Sequence, residues 1–344
     1  MGSGKTTSFD IAHRAGVSQS TVSRALRDSP LVNPETRQRI QRIAREMNYR
    51  VDQRAAGLRS QRTNTLALLI FEDPITDEYQ INPFFLSMLG HIIRCAAARE
   101  YDVLVSFQQL STHWLHEYQS SNRADGIILL GYGDYGASAD RLRKLREEGA
   151  HFTIWGATVP EMEGHAVGCE NRSGGVLATE HLLSLGRRKI AFLGDHSDGY
   201  PEFRDRHFGY LDALAAAGLK PDKRLDAPAL NRETSGLTAM RSLLDSGADF
   251  DAVFAASDLI AFGAIKCLRR AGIRVPEDVS VVGFDDMPAA SFFSPSLSTV
   301  KQDTLMAAEA LVGNVLAMIN GEAVSAPLLP LSLVVRRSCG AKKN

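Results

Sequence analysis

The chain has 344 residues, with 39 Lys+Arg against 40 Asp+Glu, 44% hydrophobic residues and four cysteines. This length allows two or three packed units of roughly 100 to 200 residues, and the composition excludes bulk disorder and a disulfide-knit miniprotein. No apolar stretch approaches the roughly 18 residues needed to cross a bilayer, and no signal-peptide pattern opens the chain, so we expect a cytoplasmic protein without a membrane partner.

The cysteines and the charge distribution narrow the class further. Cys95, Cys169, Cys267 and Cys339 form no CxxC pair, so we expect reduced, mostly buried thiols. The net charge of −1 is unevenly spread, because residues 1–62 carry twelve basic and five acidic residues, whereas the other 282 carry 27 basic and 35 acidic. A cationic head on an anionic body favours a polyanionic partner, and nucleic acid is the first candidate.

Three short helices are predicted in the head. The first covers residues 9–14 and ends at a tight turn, where Gly16 supplies the permissive backbone and Ser18 the N-cap of the second helix, over 19–27. An Asn-Pro pair at 33–34 opens the third. Two short helices about a Gly-containing turn, braced by a third, predict an all-α helix-turn-helix.

From Thr65 onward, short apolar runs alternate with helical patterns. The strand-like runs cover 66–71, 103–107, 126–130, 152–155, 190–193, 252–255 and 279–284. The helix-like runs cover 84–99, 139–148, 171–185, 205–217, 234–244, 259–271 and 304–319. This alternation predicts βαβ units, and about 280 residues is large for one doubly wound parallel sheet, so we expect two.

Short motifs along the chain have a recognisable order and spacing. Those in the head are Asp10-Ile11-Ala12, Ala15-Gly16-Val17-Ser18, Thr21-Val22-Ser23-Arg24 and Asn48-Tyr49. Those in the body are Asn82-Pro83-Phe84-Phe85, Gly174-Gly175, Arg206 with Gly209-Tyr210, Ser257-Asp258 and Gly283-Phe284-Asp285-Asp286. Over nearly its whole length, the chain resembles the lactose-repressor/galactose-repressor (LacI/GalR) family of bacterial transcription regulators.

The resemblance implies a domain organisation. Residues 1–50 would form the helix-turn-helix domain, 51–63 a hinge helix, and 64–344 a core like that of periplasmic sugar-binding proteins. In that core, an N-subdomain (about 64–164 and 296–322) and a C-subdomain (about 165–295 and 323–340) would clasp an effector. The chain departs from the family at Ser8, where an apolar residue is usual, and in the hinge, where Gly57 lowers helix propensity by up to about 1 kcal/mol.

The resemblance also implies which residues touch DNA. Gln19, Ser20 and Arg24 would face base edges in the major groove. Thr21, Ser23, Arg14 and Arg37 would contact phosphates, which fix register without reading sequence. Ala55 and Leu58 belong to the hinge, and the paired Leu58 side chains would wedge into the minor groove. The competing interpretations are ordinary solvated polar residues for the helix and a linker leucine packed on the core for Leu58.

Effector contacts are expected at the carboxyl ends of parallel strands. Arg206 offers a fixed fork of donors, Asp285 a carboxylate, and Trp155 a flat apolar face for a sugar ring. Further candidates are Ser257, Asp258, Asp73, Gln108, Glu170 and Asp195. The competing roles are a surface ion pair for Arg206, a helix N-cap for Asp258 and a core position for Trp155.

Several motifs imitate enzyme chemistry. The GxGxxG match at 131–136 lacks the acidic residue of a dinucleotide site, so we expect a loop with the next helix beginning after it. The segment at 2–7 lacks the strand that precedes a phosphate-binding loop, and His113 with His116 is more typical of a solvated helix face. No nucleophile elbow occurs. We therefore expect no catalytic residues, no cofactor and no metal site.

Together these features predict a homodimeric repressor of carbohydrate-utilisation genes, released from a pseudo-palindromic operator by a small sugar. A metabolite such as a purine acting as corepressor is the alternative, and the sequence is compatible with either sign. A pure sugar-binding protein of the exported type, or an NAD-dependent enzyme, would leave the cationic head without a role.

Overall fold

The computed structural model describes residues 6–49, 62–71, 81–108, 116–131, 133–159, 162–324 and 328–341. The chain divides into two compact units, Met1–Thr63 and Asn64–Asn344. Most of the expected hinge, with Ala55 and Leu58, lies outside the described residues, as do Asp73 and the side chain of Gln108. None of the helices described is long and apolar enough to cross a membrane.

The head contains the three predicted helices, α1 (Ser8–Ala15), α2 (Gln19–Ala25) and α3 (Pro34–Glu46). Gly16 ends α1 with a φ of 65°, the Ser18 side chain accepts from the amide of Thr21, and Asn33 caps α3. Helix α2 is shorter than predicted because the residues after it form tighter turn hydrogen bonds. Ile11, Val22 and Ile40 are fully buried and form the centre of the head's own core.

All seven predicted strand-like runs of the core form strands. Its strands are β1 (Thr65–Phe71), β2 (Asp102–Gln108), β3 (Gly126–Leu130), β4 (Phe152–Trp155), β5 (Ala166–Cys169), β6 (Ile190–Leu193), β7 (Asp226–Ala227), β8 (Ala252–Ala255), β9 (Ser280–Asp285), β10 (Ser298–Gln302), β11 (Leu328–Leu329) and β12 (Leu331–Val334). The described residues thus contain five further short strands, β5, β7, β10, β11 and β12, that the sequence did not predict. Its α-helices are α4 (Pro83–Ala97), α5 (Tyr135–Glu147), α6 (Asn171–Ser184), α7 (Pro201–Ala216), α8 (Glu233–Asp245), α9 (Asp258–Arg270), α10 (Pro288–Phe292) and α11 (Thr304–Asn320).

Two six-stranded sheets confirm the expected pair of doubly wound sheets. The N-lobe sheet has the order β11-β5-β4-β3-β1-β2, and all its pairings are parallel. The C-lobe sheet has the order β12-β10-β9-β8-β6-β7, in which β12 alone runs antiparallel to its neighbour. All four cysteines are buried, as the sequence predicts.

The chain crosses between the lobes later than the sequence predicts. The three crossings follow β5, β10 and β11, so the subdomain boundaries near 164, 295 and 322 each lie several residues too early. The cause is that these strands are short, and β10 carries the polar sequence STVKQ, which gives no apolar run to detect.

The glycine-rich segment at 131–136 was also predicted incorrectly. Helix α5 begins at Tyr135, inside the motif rather than after it. Gly133 has a φ of 67°, and a Cβ atom there would overlap the ring of Phe71. The glycine is therefore explained by close packing inside the N-lobe, without a nucleotide.

Candidate functional site

One face of α2 carries the residues expected to read DNA bases. Ser20 and Arg24 are exposed, whereas Gln19 is half-buried. The Gln19 amide donates from Nε2 to Ser8 Oγ at 3.2 Å. Ser8, the departure from the family pattern, therefore contacts the first residue of the candidate recognition helix.

This contact predicts that Ser8 restrains Gln19 at the DNA surface. Ser8→Ala removes the hydroxyl acceptor, and we expect discrimination at one base pair to fall roughly fivefold, about 1 kcal/mol, with binding to random DNA unchanged. Titrations against an operator and its single-base variants would measure this. In a Gln19→Ala background Ser8→Ala should have no further effect, and an undiminished loss there would contradict the prediction.

The residues expected to contact phosphates are held by partners within the head. Arg14 lies 3.3 Å from Glu46, and Arg37 donates to the Asp28 carbonyl at 3.2 Å. Thr21 Oγ1 lies 2.9 Å from Ser18 Oγ, and Ser23 Oγ accepts from Arg27 at 2.7 Å. These contacts position the side chains before DNA arrives, and their role as phosphate ligands remains a prediction.

Polar side chains from both lobes meet where parallel strands end. A cavity of about 350 Å³ lies between the start of α4 in the N-lobe and the end of β9 in the C-lobe. Its lining is mainly polar and charged, with Phe84, Met287 and Pro288 as apolar members. The lining residues are Phe84, Ser87, His91, Asp285, Asp286, Met287, Pro288, Lys301, Gln302 and Thr304.

Arg206 is the cation among the predicted effector residues, and its side chain is tightly held. It lies on α7 and is only 4% exposed, so the alternative of a surface ion pair is wrong. Its Nε donates to Asn171 Oδ1 at 2.8 Å and its Nη1 to the Ala256 carbonyl at 2.5 Å. The guanidinium carbon lies 3.7 Å from the centre of the Phe284 ring. Packing and hydrogen bonds thus fix this cation at the ends of β8 and β9.

Asp285 lies beside Arg206, with 3.9 Å between its Oδ1 and the Arg206 Nη1. The same oxygen accepts from Gln302 Nε2 at 2.6 Å. Burial raises the pKa of Asp285 to about 6, although the Arg206 cation and the Gln302 hydrogen bond oppose the rise. Its φ of 123° is strained for a residue other than glycine. A strained, buried carboxylate at a strand end is typical of a functional position.

Ser257 and Asp258 have different roles. The Ser257 side chain accepts from the amide of Ile260, so Ser257 is the N-cap of α9 and the competing interpretation of Asp258 as the cap is wrong. Asp258 is fully buried, and its carboxylate accepts from Thr299 Oγ1 at 2.6 Å and from the amide of Met287 at 2.8 Å. Burial, followed by the neighbouring Asp285 charge, raises its pKa well above the ordinary value.

The remaining candidates lie at three strand ends. Trp155 ends β4 with 7% exposure, and its ring centre lies 6.1 Å from that of Phe84. Asp195 follows β6, and its carboxylate accepts from the amide of Ser197 at 3.0 Å. Glu170 is exposed immediately before α6. Trp155 packs against Phe84, which lines the cavity.

The sequence did not indicate several side chains that complete this site. Asn171 and Gln302 hold Arg206 and Asp285, and His91 Nδ1 lies 3.1 Å from Thr304 Oγ1. Asn171 and Gln302 lie beside the lobe crossings, which the sequence placed too early. Crossings predicted at the correct positions would have placed both residues at the junction of the lobes.

A helix-turn-helix head joined in one chain to a two-lobed core, with a charged and aromatic cavity between the lobes, defines a ligand-responsive DNA-binding regulator. Residues 9–52 match the model of bacterial regulatory proteins of the lacI family. Residues 179–339 match a periplasmic binding protein-like domain.

Known proteins resemble this chain over almost its whole length. The transcriptional regulator CelR of Thermobifida fusca is 32% identical over 95% of this chain and 96% of its own. AscG of Escherichia coli (strain K12) is 30% identical over 96% and 97%. The chain therefore belongs to the LacI family, and it is a sequence-specific DNA-binding transcriptional regulator rather than an enzyme.

Solved structures agree with this assignment. A CelR–cellobiose complex superimposes with a TM-score of 0.72 at 31% identity, covering 97% of this chain and 99% of that one. The lac repressor dimer bound to operator and the anti-inducer ONPF superimposes with a TM-score of 0.81 at 25% identity, covering 98% and 100%. These matches include both the head and the core.

Proposed function

We propose that this regulator is a homodimeric, cytoplasmic repressor of carbohydrate-utilisation genes, released from its operator by a mono- or disaccharide. The observation that carries the proposal is the buried Arg206–Asp285 pair at the lobe junction. The pair offers hydrogen-bond donors and acceptors for sugar hydroxyls, and Trp155 and Phe84 offer apolar faces nearby. Cellobiose is the first sugar to test, because CelR is described in complex with it.

The proposed mechanism follows from differential affinity. A ligand between the lobes can shift the lobe arrangement only by binding one arrangement better than the other. As inducer, the sugar favours the arrangement in which the two hinges of the dimer separate. The two hinge segments can then no longer contact the operator side by side. Specific affinity then falls, while phosphate contacts by the heads maintain weaker binding to any sequence.

The N-lobe surface supports a dimer. Helix α4 exposes Leu86 and Ile93, and the edge strand β2 exposes Val105 and Phe107, each between 40% and 45%. Apolar side chains on these two neighbouring elements would lose contact with water in a symmetric interface. Two heads related by a two-fold axis require an operator that is nearly palindromic.

Fluorescence anisotropy tests the proposal directly. A labelled pseudo-palindromic duplex from upstream of the gene is titrated with protein, and the complex is then challenged with mono- and disaccharides, cellobiose first. We expect tight binding that weakens steeply with salt and that one sugar reverses. If a ligand strengthened DNA binding, it would be a corepressor rather than an inducer. If no sugar changed DNA binding, carbohydrate would be excluded as the effector class.

The hinge leucine provides a separate prediction for DNA binding. Leu58→Ala removes the side chain proposed to enter the minor groove, so we expect operator affinity to fall by about 2 kcal/mol, roughly thirtyfold. Binding to random DNA should be unchanged, because phosphate contacts dominate it. The two affinities are measured at one salt concentration, and equal losses on both duplexes would exclude the wedge role.

Asp285 makes effector binding depend on pH. Its pKa is raised to about 6, so the carboxylate is ionised above pH 6 and protonated below it. If sugar hydroxyls donate to the carboxylate, affinity is fully present above pH 6 and falls as the pH drops through that value, roughly tenfold per unit below it. Calorimetric titration at pH 7.5, 6 and 5 measures this, and an unchanged affinity across that range would exclude ionised Asp285 as a contact.

A further inference from the structure

Three metal-ligating side chains meet at the edge of the C-lobe sheet, apart from the cavity between the lobes. His196 follows β6, His207 lies on α7, and Asp226 begins the edge strand β7. One ligand atom from each lies within 4.8 Å of the other two. We propose that His196, His207 and Asp226 form a binding site for a divalent transition-metal ion of the zinc class, with water completing the coordination.

Two of the three separations between ligand atoms lie near the spacing around such an ion. His207 Nε2 lies 2.9 Å from Asp226 Oδ2, and His196 Nε2 lies 3.7 Å from the same oxygen. Around a tetrahedral zinc with bonds of about 2.1 Å, ligand atoms lie about 3.4 Å apart. The first separation is therefore about 0.5 Å shorter and the second about 0.3 Å longer than this spacing.

The chemistry of the ligand set also favours zinc. Two imidazoles and one carboxylate suit Zn²⁺, whereas Ca²⁺ and Mg²⁺ prefer oxygen ligands alone. Asp226 Oδ1 is buried and has no hydrogen-bond partner among the described residues, which is costly for a carboxylate oxygen. A bound ion and its water would supply the missing interactions.

Binding requires one rearrangement. The rings of His196 and His207 are stacked, with their centres 4.0 Å apart and their planes within 5°. An ion in the plane of both rings requires one ring to turn, and His196 can do so because its side chain is 42% exposed on a loop. His207 is held against Phe192. Its hydrogen bond to the Asp226 carboxylate uses a proton on Nε2, whereas binding an ion through Nε2 requires the neutral tautomer with the proton on Nδ1.

The backbone already joins the turn after β6 to the chain at β7, because the amides of Gly194 and Asp195 donate to the carbonyls of Ala227 and Ala229, and the site would add α7 to them through side chains. An ion would link the turn after β6 to α7 and β7. The same turn contains Gly199, whose carbonyl accepts from the amide of Tyr135 in the N-lobe at 2.9 Å. Metal binding would therefore stiffen the segment 194–200, which bridges the lobes on this side of the core.

The test uses the untagged full-length protein, freed of metal by a chelator and titrated with Zn²⁺ against a chromophoric competitor. We expect one ion per chain at micromolar or tighter affinity, and at least a tenfold weakening in His196→Ala. His13→Ala, which removes an exposed histidine from the head, is the matched control and should bind as the wild type does. No binding, or equal binding by His196→Ala, would overturn the proposal.

Two further measurements identify the ligands without relying on stability. Co²⁺ in place of Zn²⁺ should show the visible bands of a tetrahedral nitrogen and oxygen site, and these bands should be absent in Asp226→Asn. Thiolate charge-transfer bands would instead place the ion at a cysteine and overturn the assignment. Zinc should also slow amide hydrogen exchange in 194–200, and unchanged exchange there would contradict the link between the three elements.

Discussion

Gly175→Ala is expected to destabilise the core by about 3 kcal/mol and to lower its melting temperature by roughly 6 to 12 °C. Gly175 lies on α6 where this helix crosses α7, and a Cβ atom there would overlap the carbonyl oxygen of Arg206. The crossing is reciprocal, because a Cβ at Gly209 on α7 would overlap the carbonyl of Arg172 on α6. Backbone cannot move aside as a flexible side chain can, so the helices must separate.

Thermal and urea unfolding of the full chain measure this effect. Gly313→Ala is the matched control, because Gly313 lies within α11 and a Cβ there would meet nothing within 4 Å. In that helix the substitution should be neutral or stabilise by up to about 1 kcal/mol. Equal stability of Gly175→Ala and wild type would show that the α6–α7 crossing tolerates a methyl group.

Arg206→Ala is expected to abolish the effector response and to destabilise the core by about 3 to 5 kcal/mol. The substitution leaves the buried Asp285 carboxylate without its neighbouring cation and Asn171 Oδ1 without the Nε donor. Operator binding should persist at temperatures where the core stays folded, because the head has its own apolar core. Anisotropy with and without effector, together with unfolding curves, measures both effects.

A second substitution separates the structural role from the binding role. In Arg206→Ala with Asp285→Asn, the buried charge is gone, so the double variant should lose several kcal/mol less stability than the two single losses added together. The effector response should still be absent, since both proposed contacts are lost. A retained response in either variant would remove Arg206 from the effector site.

Much of the molecule follows from local sequence rules. Ser18 and Asn33 cap helices because a short polar side chain can accept from a free amide, and the structure confirms both. The apolar runs at 66–71 and 126–130 became central strands because a strand covered on both faces has no polar side. Each of these patterns lies within about ten consecutive residues, so it predicts the local structure without knowledge of any contact between distant parts of the chain.

The sequence also indicated candidate residues for the effector site, but not how they are held. Arg206 and Asp285 were expected from their motifs, whereas their buried partners Asn171 and Gln302 were not. The shifted pKa of Asp285 depends on burial and on the Arg206 charge, and both arise only after β9 and α7 have packed together. Neither the burial of Asp285 nor its distance from Arg206 can be derived from a single short motif.

The sequence by itself therefore determined the family, the helix-turn-helix head, the alternating core and the principal effector candidates, because each is encoded in short-range spacing. Tertiary structure alone decided the lobe crossings, the overlap that requires glycine at 175 and the meeting of His196, His207 and Asp226. These features depend on distances between residues on different elements of the chain, and such distances are fixed only when the elements pack.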